Sequence, residues 1–238
     1  MKKTMFDQYP FSSEIVVTYY MTSKCNLCCS YCYEKGKEKT SDISLQRIIS
    51  SIKALSEISQ PIKAFFLFGG EPTIRCEECV FLLSEIAKYK NFGSSRKVLF
   101  TNGLFIDPSL RELILNKELE VFLSFDGFGE ASRLRFGQNL NEGLKIINDD
   151  LESFKSVSDS ITISFAIGAH NINTIESDIK RLHEIYDISH FKINIIRNKS
   201  FSAESEQITS VRERVMEWSE NKKNRALMGR CQHVWFGI

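Results

Sequence analysis

The sequence predicts an α/β fold, a partial (β/α)6 TIM-like barrel of parallel strands with outer helices. Three observations carry that prediction. Strand-like and helix-like segments alternate through most of the 238 residues. The strand-like segments are mostly short continuous apolar runs, as expected of parallel strands covered on both faces. The turns richest in chemistry follow strands directly, at the end where such folds place ligands.

The elements run in a regular order. Ile15–Thr22 is the first strand candidate, followed by a helix whose apolar stripe is Leu45, Ile48, Ile49, Ile52 and Leu55. Ala64–Phe68 precedes a helix over Cys76–Lys90, and Lys97–Thr101 precedes one over Pro108–Lys117. The latter is opened by Pro108 behind Asp107, a residue pair suited to a helix start. Val121–Phe125 leads to a helix over Leu140–Lys155. Ser160–Ile167 leads to the stripe Ile172, Ile175, Ile179, Leu182 and Ile185, and Phe191–Ile196 is the sixth strand. Six such units imply right-handed parallel crossovers, which an open doubly wound sheet would satisfy as well as a partial barrel. The polar stretch Arg197–Asn224 reads as a loop and one long surface helix. The domain reading is a core over 10–200 with a C-terminal helical extension over 201–238.

Composition narrows the function classes. A net charge of +1 gives no electrostatic reason to expect nucleic acid or an anionic membrane as partner. No apolar run approaches the roughly 20 residues needed to span a bilayer. The first residues, MKKTMFDQYPF, carry two lysines without an apolar segment behind them, so a secretory signal is not expected and a cytoplasmic setting is. Of the seven cysteines, Cys25, Cys28, Cys29 and Cys32 crowd into eight positions. In such a setting that favours metal or redox chemistry over a disulfide framework.

Among these four, only Cys25, Cys29 and Cys32 give a C-x3-C-x2-C spacing. A loop of that length can wrap a cubane and present three thiolates to three irons, leaving the fourth iron without a protein ligand. An open position marks a metal centre that performs chemistry. Cys28 is expected not to ligate. The same letters hold two interlaced C-x2-C pairs, a possible zinc site, but adjacent Cys28 and Cys29 would cramp a tetrahedron.

The segment from Lys24 to Tyr33 resembles the radical S-adenosylmethionine superfamily, and further motifs recur in order behind it. The resemblance implies a [4Fe–4S] cluster whose bare iron takes the methionine end of S-adenosyl-L-methionine. It also places Tyr31, just before the third cysteine, against the adenine. Phe68-Gly69-Gly70-Glu71-Pro72 is similar to the superfamily's GGEP motif, implied to grip the cofactor's amino group. From the residues alone, two glycines let a backbone edge approach a ligand, and a carboxylate beside them can accept from an ammonium group.

Thr101-Asn102-Gly103 and Ser124-Phe125-Asp126-Gly127 are similar to TNG and S-x-D-G segments of the branch that holds anaerobic sulfatase-maturating and peptide-modifying enzymes. Asn102, Ser124 and an arginine are thereby implied as cofactor contacts. The arginine is Arg135 or Arg133, with Arg135 preferred. Ile195 or Ile196 would face the adenine or simply pack the core, and His170 would touch substrate or belong to a turn capped by Asn171. Cys76 and Cys79, one turn apart on a helix, are too few for a site. Cys231 matches the start of a cysteine-rich extension called SPASM, but no further cysteine follows in the remaining seven residues. An auxiliary cluster is therefore not expected from these residues.

The resemblance implies a radical enzyme that cleaves S-adenosyl-L-methionine reductively and abstracts hydrogen from a peptide or protein, with flavodoxin or ferredoxin as electron donor. A small-molecule or nucleotide substrate is the alternative. A redox or oxygen sensor without turnover is the alternative of another class.

Overall fold

The computed structural model describes residues 15–34, 42–196, 200–220 and 235–237. Its strands are β1 (Ile15–Tyr20), β2 (Ile62–Phe68), β3 (Arg96–Thr101), β4 (Glu120–Ser124), β5 (Ile161–Ile167), β6 (His190–Ile195) and β7 (Trp235–Gly237). Among the described residues they form one sheet in the order β1-β2-β3-β4-β5-β6-β7, with every neighbouring pair parallel. That order decides between the two architectures. A doubly wound sheet reverses its strand order at a switch point, whereas sequential order winds one way and curls toward a barrel. No pairing joins β7 back to β1 among the described residues, so the barrel is partial.

The helices are α1 (Leu45–Ser56), α2 (Cys76–Ile86), α3 (Pro108–Leu115), the short α4 (Arg133–Phe136), α5 (Leu140–Ser153), α6 (Ile175–Tyr186) and α7 (Ser205–Glu220). Local chemistry sets their ends. Ser44 caps α1 by accepting from the Arg47 N–H, and Asp107 caps α3 through the Ser109 N–H ahead of Pro108. Asp187 ends α6 in the left-handed region.

Between helices and sheet lies the core, with Phe65, Leu67, Leu99, Val121, Ile163 and Ile193 on the outer sheet face. Burial of each such side chain is worth about 1.5–3 kcal/mol. The opposite face is only half covered. Burial alternates along β4, β5 and β6, because alternate residues look into an open lumen. The expectation of strands covered on both faces is corrected accordingly. The α1 stripe is likewise narrower than its sequence implies: Ile48 and Ile52 are buried, while Leu45 and Ile49 are exposed.

The C-terminal extension packs its helix on α6, with Val211 and Val215 in the core and Arg214 paired to Glu176. That helix spans Ser205–Glu220 behind a turn, in keeping with a loop and then a helix, and β7 beyond it pairs with β6.

Candidate functional site

The strand C-termini converge on a cavity of about 610 Å³. Cys25, Cys29 and Cys32 all line it, and Cys28 does not. Cys28 is the exposed one of the four. Gly69, Gly70, Glu71, Asn102, Ser124 and Arg135 line the same cavity, as do Tyr31, Ile195 and Ile196. Every residue expected to bind cofactor or metal is therefore brought to one place. Arg133, the other arginine considered, sits on the surface paired to Glu130.

The cysteine loop is held from three sides. Its root lies on the β2–α2 turn, where the Gly70 and Glu71 N–H groups donate to the Thr22 and Lys24 carbonyls at 2.8 Å each. A Cβ on Gly69 would stand 2.4 Å from the Thr22 carbonyl oxygen, and one on Gly70 would stand 2.2 Å from that of Lys24. The glycines thus serve first a chain-to-chain approach, with Gly69 also at a φ of 144°. Lys24 and Thr22 reach forward to Asp42 at 2.8 and 2.6 Å. In its middle, the loop docks on α4 through the Ser30 N–H to the Leu134 carbonyl at 2.9 Å.

Glu71 lines the cavity and is also bonded within the fold. It is 1% exposed. Its Oε1 accepts from the Thr73 N–H, the Thr73 hydroxyl and the Thr101 hydroxyl, and its Oε2 accepts from the Asn102 N–H at 2.7 Å. The carboxylate is a strut between the ends of β2 and β3. Its capacity for an incoming ammonium group narrows to one lone pair of Oε2. Burial pushes its pKa up despite these four donors. Asn102 turns toward the loop as well, donating to Asn26 Oδ1 at 2.7 Å and to the Cys25 sulfur at 3.8 Å.

The third side was not foreseen. Asp126 has no solvent exposure. Arg135 pairs with it at 2.9 Å and also donates to the Tyr31 hydroxyl at 2.9 Å. Tyr31 in turn donates to the second Asp126 oxygen. Burial would raise the Asp126 pKa, but the Arg135 charge and these bonds hold it below the usual range. His170 stacks on the Tyr31 ring at 5.6 Å. Asn171 does not cap a helix with its side chain. It donates to the Asp126 and Ala166 carbonyls and accepts from Gly168, tying the end of β4 to β5. The sequence signal for this network was a lone aspartate ending an apolar strand with an arginine nine residues on.

Do these residues suit a cluster and a cofactor that carries both an ammonium and a carboxylate group? Among the described residues, no three Cys, His, Asp or Glu side chains are gathered around a single point. Three thiols that share one cavity without crowding on a point suit a polynuclear cluster. Burial raises the Cys25 pKa and pushes Cys29 up to about 11, while the Arg135 charge pulls Cys29 back. Arg135 Nε and both His170 ring nitrogens are buried without a hydrogen bond, although His170 Nε2 lies 3.8 Å from Asp126. Such orphaned groups are uncommon unless a ligand or water completes them. The donor set fits. Cys76 and Cys79 lie apart from this: Cys79 donates to the Pro72 carbonyl inside the fold. Cys231 lies outside the described residues.

Residues 19–182 match the family described as the Radical SAM superfamily. Fe-coproporphyrin III synthase of Methanosarcina barkeri is 32% identical over 128 residues, covering 52% of this chain and 30% of that protein. An S-adenosylmethionine-dependent nucleotide dehydratase of Psychrobacter lutiphocae is 24% identical, covering 74% and 60%. Among solved structures, native anSMEcpe with bound AdoMet and Kp18Cys peptide superposes with a TM-score of 0.75 at 19% identity, covering 89% of this chain and 62% of that one. Streptococcus suis SuiB bound to precursor peptide SuiA gives 0.62 at 16% identity, covering 90% and 47%. The structural likeness is one of fold, and the chain spans less than two thirds of each of these proteins.

Proposed function

The chain belongs to the radical S-adenosylmethionine superfamily, and on that premise we propose that it is an enzyme using a [4Fe–4S] cluster and S-adenosyl-L-methionine. When bound, these groups supply reductive cleavage to methionine and a 5′-deoxyadenosyl radical, which abstracts hydrogen from substrate. The single observation that carries the reading is the cavity shared by Cys25, Cys29 and Cys32 from which Cys28 is excluded.

The chain's own residues divide the remaining work. The three thiolates hold the cluster. The Gly69–Gly70 backbone, Asn102, Ser124 and Arg135 line the place for the cofactor, and Tyr31 and Ile195 or Ile196 border its adenine. Asp126 keeps Arg135 charged and aimed. Flavodoxin or ferredoxin is the electron donor in this reading, and the setting is a reducing cytoplasm.

A peptide or protein is the proposed substrate, supported by solved structures of this fold with bound peptides. A small-molecule or nucleotide substrate is the second reading, favoured by relatives named for nucleotide and porphyrin chemistry. Anaerobic reconstitution, reduction with dithionite and addition of S-adenosyl-L-methionine test the enzyme. Wild type should release 5′-deoxyadenosine, and Cys29→Ala should release none. A loaded, reduced protein that makes none is a sensor or binding protein instead. Mass shifts in peptides encoded beside the gene separate the two substrate readings.

A further inference from the structure

One side of the lumen carries chemistry that the cofactor reading leaves unused. On β6, Phe191 and Ile193 are buried against the helices while Lys192 and Asn194 face the cavity. Strand register sets Lys192 beside Ser164 of β5, and Ser164 beside Ser124 of β4, one row of polar side chains about 4.8 Å apart. Ser164 Oγ accepts from Asn194 at 2.9 Å, which leaves its own hydrogen free to donate into the lumen. Facing this row is an aromatic wall. Phe100 packs on Phe68 at 5.3 Å and on Phe122 at 4.7 Å.

The Lys192 ammonium lies 5.8 Å from the Phe100 and Phe122 ring centroids. Among the described residues no carboxylate pairs with it. Burial lowers its pKa, the mark of a cation that has lost water without gaining a counter-charge. A half-buried cation in a cavity is costly unless an anion meets it.

We propose that Lys192, with the Ser164 hydroxyl, receives an anionic group of the substrate, a carboxylate or a phosphate, whose apolar or planar body lies along Phe68 and Phe100. The proposal rests on the reading of this lumen as the substrate chamber of a radical enzyme, and it adds the charge and shape of what enters.

Three probes test it on the reconstituted protein with S-adenosyl-L-methionine bound: 2-naphthoate, 2-naphthyl phosphate and neutral 2-naphthylmethanol, titrated by fluorescence. At least one anion should bind wild type ten-fold or more tightly than the alcohol. Lys192→Gln should erase that contrast and Lys192→Arg should retain it. Equal binding of all three probes to wild type overturns the proposal, a result independent of how any variant folds. So does a contrast that survives in folded Lys192→Gln. A preference for naphthoate indicates a carboxylic acid or acidic peptide, and one for the phosphate a nucleotide-like substrate; either supports the proposal. The radical reading is checked separately, by 5′-deoxyadenosine from wild type. Failure there leaves the anion contrast standing, and loss of the contrast leaves cofactor cleavage standing.

Discussion

The mouth of the lumen and its side wall handle polar groups in opposite ways. At the mouth, Glu71 takes four donors and Asp126 is bonded by Arg135 and Tyr31. On the wall, Lys192 meets only ring faces. A preassembled mouth suits a cofactor that arrives in the same pose each time, since fixed groups cost no reorganisation. An unsatisfied wall suits a substrate that completes it.

The contrast breaks first if the loop's ligands are misassigned. Alanine at Cys25, Cys29 or Cys32 should abolish iron loading on anaerobic reconstitution, whereas Cys28→Ala should load nearly as wild type. Iron content and visible absorbance decide, and loss of iron in Cys28→Ala would overturn the ligand set.

The next largest effect is expected at the buried pair. Asp126→Asn strands the Arg135 charge, which should cost the apoprotein ~3–5 kcal/mol in urea unfolding. Arg133→Ala, at the exposed pair two residues away, should leave the midpoint unmoved. Because the folded Asp126 pKa is depressed, its contribution is fully present above the unfolded value of about 3.9 and fades below it. The gap between wild type and Asp126→Asn should therefore narrow as the pH falls under about 4. A gap constant with pH would remove the charge from the explanation.

Smaller again is Gly70→Ala. The added Cβ meets backbone rather than a flexible side chain, so a cost of about 1–3 kcal/mol is expected, together with slower cluster loading. An unchanged unfolding midpoint would show that the cysteine loop is not seated on this turn. Last comes Ser124→Ala, among the proposed cofactor contacts. Stability should stay within about 0.5 kcal/mol of wild type, while the KM for S-adenosyl-L-methionine rises severalfold. An unchanged KM would remove Ser124 from the cofactor contacts.

Much of this was legible along the chain because it is local. Apolar runs such as Ala64–Phe68 and Ser160–Ile167 marked their strands to within two residues. Cysteine spacing and the glycine turns marked the mouth. What was hidden is long-range. Tyr31 and Asp126 lie 95 positions apart, and no periodicity links them. Glu71 was read as a cofactor contact, and its four donors stayed hidden because they come from turns whose folding a sequence window does not show. Lys192 was within reach: the alternation Lys192-Ile193-Asn194-Ile195 departs from the apolar runs of the other strands and signals one polar face. The seventh strand escaped because three residues after a polar stretch carry too little pattern.

The central claim is that three thiolates leave one iron open to the cofactor, and Mössbauer spectroscopy of iron-57 loaded protein addresses it most directly. The account predicts one iron distinct from the other three, whose parameters change when S-adenosyl-L-methionine is added. Four irons that ignore the cofactor, or protein that retains zinc in place of iron, would contradict it.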